Sequence, residues 1–248
     1  VSPSPPRLTH TMKTLLLSRP LLVLFLLGCL FPAIPGFANP LKKTNEKLDQ
    51  RIRRSADRFI EMQTEPGKRI PADLLARARG IIILHKFKAG LIVGGEAGNG
   101  VALVRDKNTG VWSAPAFITS AEGSYGLQIG AQESTIVLLL MNETGLKPLL
   151  GGSVNIGVDV AATAGPFDEG GKIDTTTIQQ PILVYSSAGG LFAGAAFKGG
   201  GILPEQKSND MFYARAMNDI LFDPAVRPNA TGQHLIDVLE TYAGRRTN

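Results

Sequence analysis

The chain has 248 residues, with 26 basic and 21 acidic side chains and a formal net charge of +5. A single cysteine excludes an internal disulfide framework, and a 6% aromatic content with so small a net charge gives no support to nucleic-acid binding. The length suffices for one ordinary hydrophobic core and does not demand two.

The first elements concern targeting. After a polar stretch from Val1 to Thr11, Met12 is the expected start; Lys13 and Arg19 precede an apolar run, Leu21 to Phe31, and small residues follow at Gly36 and Ala38. A charged, an apolar and a small-residue region in that order form a secretory signal. This predicts export, periplasmic or secreted, with residues 1–38 as leader and Asn39 as the mature N-terminus. Gly28, Pro32 and Pro35 interrupt the run, which falls short of the roughly 20 apolar residues a spanning helix needs. Leu26-Leu27-Gly28-Cys29 is similar to a lipoprotein signal, with Cys29 as the lipidated residue, but apolar sequence continues to Ala38 where a polar tether would begin. Cleavage removes Arg7, Lys13 and Arg19 of the 26 basic residues, leaving 210 residues with 23 basic and 21 acidic side chains, a net charge of +2 and no cysteine. Residues 39–248 are expected to form one domain held by packing alone.

From Leu41 to Met62 the apolar residues Leu41, Leu48, Ile52, Ala56 and Phe59 recur at about the 3.6-residue helical period. Lys47, Arg51, Arg54 and Arg58 line up beside that stripe, and Lys42 and Lys43 stand at its start. Seven basic residues against three acidic ones between Leu41 and Arg58 make this arm cationic within a nearly balanced chain. A helix with a basic edge beside an apolar stripe is the form that lies on anionic membranes, each nearby cation contributing about 1 kcal/mol. The alternative is a surface helix whose stripe packs on the domain; both hold if the stripe docks and the basic edge stays free.

A short helix follows over Pro71–Arg79, stopped by Gly80. Beyond it Ile81–Leu84, Gly90–Gly95, Gly100–Arg105, Val111–Ile118, Ser124–Ala131, Thr135–Met141, Val154–Ala164, Ile182–Ser187 and Leu191–Phe197 read as strands separated by Gly, Asn or Asp. Alternation is clearest where Val154, Ile156, Val158 and Val160 interleave with Asn155, Gly157 and Asp159. Asp106–Gly110 predicts a hairpin turn, and helices are expected at Asn142–Leu150, Ser208–Phe222 and Gly232–Ala243. Lys86 and Lys88 flank Phe87 in what reads as a loop between strands, either an apolar tip between two cations or an ordinary solvated turn. The order predicts an α+β fold: N-terminal helices, then a mainly antiparallel, glycine-rich sheet or partly closed barrel, then C-terminal helices.

Several short strings in this frame form one pattern. Ala78-Arg79-Gly80 with Ile81-Ile82-Ile83, Gly94-Gly95, Gly98-Asn99-Gly100-Val101 and Trp112-Ser113-Ala114-Pro115-Ala116-Phe117 resemble the first half of the SYLF lipid-binding family. Gly126-Leu127-Gln128-Ile129-Gly130, Val137 to Met141, Ala164-Gly165-Pro166, Tyr185-Ser186 and Gly190-Leu191-Phe192-Ala193-Gly194 resemble the second half, so the likeness runs from about Ala56 to Phe222. Glu133-Ser134-Thr135 departs from the aspartate of many relatives, and Ala188-Gly189 from a common Ser-Lys-Gly version, which removes a lysine. The resemblance implies membrane-lipid binding, directed to phosphoinositides in eukaryotic relatives and joined to actin binding in some fungal ones. For an exported bacterial chain it implies anionic phospholipids or lipopolysaccharide as partner, with the family's basic N-terminal segment falling on Lys42 to Arg58. The candidate lipid-binding residues are Lys42, Lys43, Lys47, Arg51, Arg54, Arg58, Lys86, Phe87 and Lys88.

Catalytic signatures are absent from the sequence. Only His85 and His234 follow the leader, no serine sits in a Gly-x-Ser-x-Gly elbow, and there is no His-Glu-x-x-His. Gly95–Gly100 lacks the lysine and following helix of a phosphate-binding loop. Glu96, Asp106, Glu122, Asp159 and Asp174 are scattered through turns and polar faces. The expectation is a non-enzymatic protein without cofactor, metal or nucleic-acid partner; the competing reading is an envelope structural protein whose glycine-rich sheet associates with itself as a homo-oligomer.

Overall fold

A computed structural model of the chain describes residues 40–90, 93–125, 130–150, 154–155, 160–167, 175–188 and 201–244; the expected leader, its cleavage site and Cys29 lie outside them. Apolar residues one turn apart draw helix α1 (Pro40–Thr64) inward, with Leu48, Ile52, Ala56, Phe59 and Met62 all buried. Helix α2 (Ala72–Arg77) follows, and the chain then becomes extended in β1 (Gly80–Gly90), β2 (Val93–Val104), β3 (Ala116–Tyr125) and β4 (Gly130–Leu140). Next come α3 (Glu143–Leu150), β5 (Val154–Asn155), β6 (Ala162–Ala164), α4 (Thr175–Gln179), β7 (Ile182–Ser186) and β8 (Gly201–Pro204). Three helices close the order: α5 (Gln206–Tyr213), α6 (Met217–Phe222) and α7 (Ala230–Tyr242).

Among the described residues the strands form one eight-stranded sheet in the order β5-β8-β3-β2-β1-β4-β7-β6. All pairings are antiparallel except β6 with β7, so the sheet is mixed and the expected α+β order holds. Ile81 lies opposite Leu103 and Leu139, and Ile83 opposite Val101 and Val137. That register puts one face of every central strand against α1, α2 and α7, through Ile83, Val101, Leu103, Phe117, Leu139 and Tyr185. The other face, through Ile82, Leu84, Ile118, Leu138 and Val184, packs with Leu146, Leu149, Ile220 and Leu221 of α3 and α6. A sheet covered on both faces takes unbroken apolar runs instead of alternation, which is why Ile81-Ile82-Ile83-Leu84 and Ile136 to Leu140 are apolar throughout.

Several expected boundaries are corrected. The strand begun at Ile81 does not stop at Leu84 but runs to Gly90, and the two strands expected over Gly90–Gly95 and Gly100–Arg105 are one, β2. Gly100 serves a tight strand contact: a Cβ there would stand 1.9 Å from the Ile83 carbonyl oxygen. Val111–Ile118 is extended and paired only from Ala116, apart from a lone bridge between Arg105 and Trp112. The segment Ser124–Ala131 contains the end of β3 and the start of β4, and Ser208–Phe222 is two helices broken at Ala214, a residue with φ 52°. Leu191–Phe197 and the alternation at Ile156 and Val158 lie outside the described residues. The turn after β2 forms as expected: Asp106 Oδ1 accepts from the amides of Asn108 (2.9 Å) and Thr109 (2.7 Å), and Gly110 supplies φ 71°. These bonds, that of Thr109 foremost, hold the Asp106 carboxyl below its ordinary pKa.

Candidate functional site

The cationic arm is helical and docked. Its apolar stripe is committed to the core, and Phe59 meets the Tyr242 ring of α7 edge to face at 5.9 Å. Burying side chains of this kind is worth about 1.5–3 kcal/mol each, so withdrawing Leu48, Ile52, Phe59 and Met62 together from the sheet would leave the core face beneath them uncovered. The stripe therefore behaves as the packing alternative holds, and the basic edge is what remains available. Lys42, Lys43, Lys47 and Arg54 are exposed along it, a run of about 18 Å at the helical rise. Leu41, 63% exposed, adds an apolar residue at its outer end.

Two other arginines of the arm are engaged. The Arg51 guanidinium forms a bidentate ion pair with Glu205, just before α5, and lies 5.5 Å from the Phe117 ring centroid. Arg58 pairs with Glu61 at 2.9 Å and, more distantly, with Glu133 of β4 at 3.6 Å. The same Glu133 oxygen is 3.6 Å from His85 Nε2 on β1. Arg51, Arg54, Ser55, Arg58, Ile83, His85, Asn99 and Thr135 thus enclose a narrow polar cleft between α1 and the sheet. His85 Nδ1 is buried in it with no hydrogen-bond partner among the described residues. Burial holds the His85 pKa below the ordinary histidine value, opposed by Glu133 and reinforced by Arg58 and Arg54. Sequence reasoning left His85, Glu133 and Glu205 unassigned, because their proximity to the arm is created by strand pairing and by a contact across 154 residues.

The second expected cluster is corrected. Lys86, Phe87 and Lys88 are not in a loop but in β1, where positions 86 and 87 fall on opposite faces of the sheet. Lys86 is buried beside Gly98, so it does not present a cation to a membrane, whereas Phe87 is 46% exposed. Lys88 pairs in register with Glu96 and Gln132, and its side chain lies outside those described. Strand alternation thus disperses a trio that adjacency in sequence brings together.

A wider open groove of about 620 Å³ lies at the other end of the arm, between α1, the end of α5 and the approach to α7. Lys42 and Arg227 supply cations to it, Glu46 and Asp49 carboxylates, and Phe212 and Tyr213 an aromatic wall. Tyr213 Oη donates to the Pro115 carbonyl at 2.9 Å, and its pKa is raised by burial and by Asp49. Among the described residues no helix is long and apolar enough to cross a membrane.

A family described as "Ysc84: Las17-binding protein actin regulator" matches residues 121–242. The bovine SH3 domain-containing YSC84-like protein 1 is 28% identical over 223 residues, covering 85% of this chain and 64% of its own; the human protein of that name is 28% identical over 217 residues, covering 85% and 63%. LAS seventeen-binding protein 3 of Saccharomyces cerevisiae is 28% identical over 215 residues, covering 84% of this chain and 47% of its own. The chain therefore spans less than two thirds of the length of these relatives. No solved structure matches it. Over residues 121–242 the chain matches the Ysc84, or SYLF, family, and its likeness to the relatives extends over most of its length.

Proposed function

We propose that this chain is an exported, non-enzymatic protein that binds peripherally to anionic membrane surfaces through the outer edge of α1. One observation carries the reading: the helix buries its apolar stripe yet leaves Lys42, Lys43, Lys47 and Arg54 exposed in a row. Cations so arranged gain about 1 kcal/mol each near an anionic surface, without the helix leaving its core. In this reading the arm adheres by charge and does not insert, which distinguishes it from a free amphipathic anchor. Co-sedimentation with vesicles tests it. Replacing Lys42, Lys43, Lys47 and Arg54 with Gln keeps helix propensity level, so the fold is expected to persist while affinity for phosphatidylglycerol vesicles falls at least about tenfold and loses its salt dependence. Unchanged binding by the variant, or equal binding of the parent to neutral vesicles, would sink the reading.

A second reading rests on the names of the relatives. The yeast protein is a LAS seventeen-binding protein and the family is described as an actin regulator. The same exposed cations suit an acidic protein surface, and lipid-independent co-sedimentation with actin filaments would favour that partner. Self-association, as an envelope structural protein, would appear as concentration-dependent sedimentation unaffected by the four substitutions.

A further inference from the structure

The polar cleft beneath the arm, lined by Arg54, Arg58, His85, Asn99 and Thr135, shares Arg54 alone with the exposed cation row. Several features set it apart from an ordinary seam between a helix and a sheet. Its inner wall holds a buried imidazole nitrogen, His85 Nδ1, with no partner among the described residues. Neither Arg54 nor the Asn99 side chain makes a hydrogen bond or ion pair among the described residues, though both line the cleft. One carboxylate oxygen, of Glu133, stands 3.6 Å from both Arg58 and His85. That separation exceeds the 2.7–2.9 Å of a strong charge-assisted bond, so Glu133 stands near both groups without hydrogen-bonding either. A carboxylate already stands where an anion is wanted, and it is loosely held.

Resting on the membrane reading, we propose that this cleft is a seat for a terminal phosphate group, a phosphate monoester or free phosphate, which enters by displacing Glu133. The cleft as it stands has room for about 10 Å³, one water's worth, so a tetrahedral anion requires something to move. Glu133 is exposed, so its side chain is the one this proposal moves outward. Arg54 and Arg58 would then converge on the phosphate from α1, while the His85 ring and the Asn99 and Thr135 side chains provide donors from β1, β2 and β4. A monoester carries nearly two charges at neutral pH and engages more of these donors than the single charge of a phosphodiester. The charged groups facing His85 are Arg54, Arg58 and Glu61 from α1 and Glu133 from β4. Replacing the Glu133 carboxylate by a doubly charged anion raises the proton affinity of His85.

The full chain titrated with inorganic phosphate, with His85 followed by NMR, provides the test. Phosphate is expected to shift the His85 ring signals and raise its titration midpoint. Glu133→Gln, at an exposed position, removes the competitor and should tighten phosphate binding about threefold, the scale of one exposed ion pair. Vesicles separate the lipid source from the soluble one: phosphatidate should be bound in preference to phosphatidylglycerol at matched surface charge, and His85→Gln should abolish that preference. If phosphate leaves His85 unmoved and phosphatidate has no advantage while anionic vesicles still bind, the phosphate seat is wrong and the membrane reading stands. If phosphate moves His85 but no anionic vesicle is bound, the membrane reading falls and the seat serves soluble phosphate. Unaltered phosphate affinity in Glu133→Gln overturns the displacement of Glu133.

Discussion

At the scale of single residues, two positions carry more than their type suggests. Gly100 allows the backbones of β1 and β2 to approach so closely that an added methyl would meet the Ile83 carbonyl. Gly100→Ala is therefore expected to cost about 1–3 kcal/mol through backbone displacement, read as a lower urea midpoint; an unchanged midpoint would mean that β2 shifts without penalty. Arg105 is buried, donates to the Ala76 carbonyl at 2.7 Å and to Glu240 at 2.7 Å, and stacks on Trp112, whose indole N–H also donates to Glu240 at 2.6 Å. Glu240→Leu removes the carboxylate these two side chains share, and the loss should approach 3 kcal/mol, as when one member of a buried ion pair is removed. Glu240→Gln, which preserves an acceptor, should lose less in the same melt. The role of Arg105 was not legible in the sequence, because it lies 135 residues from Glu240, a pairing no local pattern encodes. Gly100 reads as the start of a strand, whereas it lies inside β2.

At the scale of elements, α1 is the part most readable in advance, because its periodicity and its burial express one fact: a stripe of side chains one turn apart can be covered by a single surface. Within it the outcome of truncation should depend on turn number. Phe59→Ala, deep against α7, is expected to cost about 3–5 kcal/mol, whereas Leu41→Ala, exposed at the first turn, should stay within about 0.5 kcal/mol. Comparable melting shifts for the two would mean that the stripe is not what holds the helix. The β1–β2 hairpin was less readable. The glycines at 90, 94, 95, 98 and 100 lie within long strands, and Lys86 and Phe87, neighbours in sequence, fall on opposite faces once the strand continues. The core runs of β1, β4 and β7 were recognisable as strands, but their burial on both faces emerges only when helices from both chain ends cover the sheet.

At the scale of the whole molecule, the pH dependence of stability has a defined sign. His85 titrates below its ordinary value of 6.5 when folded, chiefly because it is desolvated, so the unfolded chain binds its proton more readily. The stability it contributes is complete above 6.5 and is lost as pH falls from there through the folded value. Asp106 acts in the same direction further down, contributing above its usual 3.8 and losing that contribution as pH falls through its lowered value. Denaturant melts should therefore show stability declining first below about pH 6.5. Glu133→Gln, by removing the carboxylate that raises the His85 pKa, should deepen that first decline; a flat profile between pH 7 and 5 would contradict the assignment.

The fastening of α1 also has a mechanical consequence. The helix is tied to distant chain at Asp49, which accepts from Asn229 at 2.8 Å, at Arg51 through Glu205, and at Arg58 through Glu133. Ahead of Asp49, Leu48 is the buried apolar residue among those described. Tension along the helix axis would load the later fastenings in parallel, as a lap joint is loaded, whereas the same tension applied across the axis would open them one after another. A pull on the first turns is thus resisted strongly when it is lengthwise and weakly when it is sideways. The direction of the load, more than its size, decides whether the arm stays closed over the cleft.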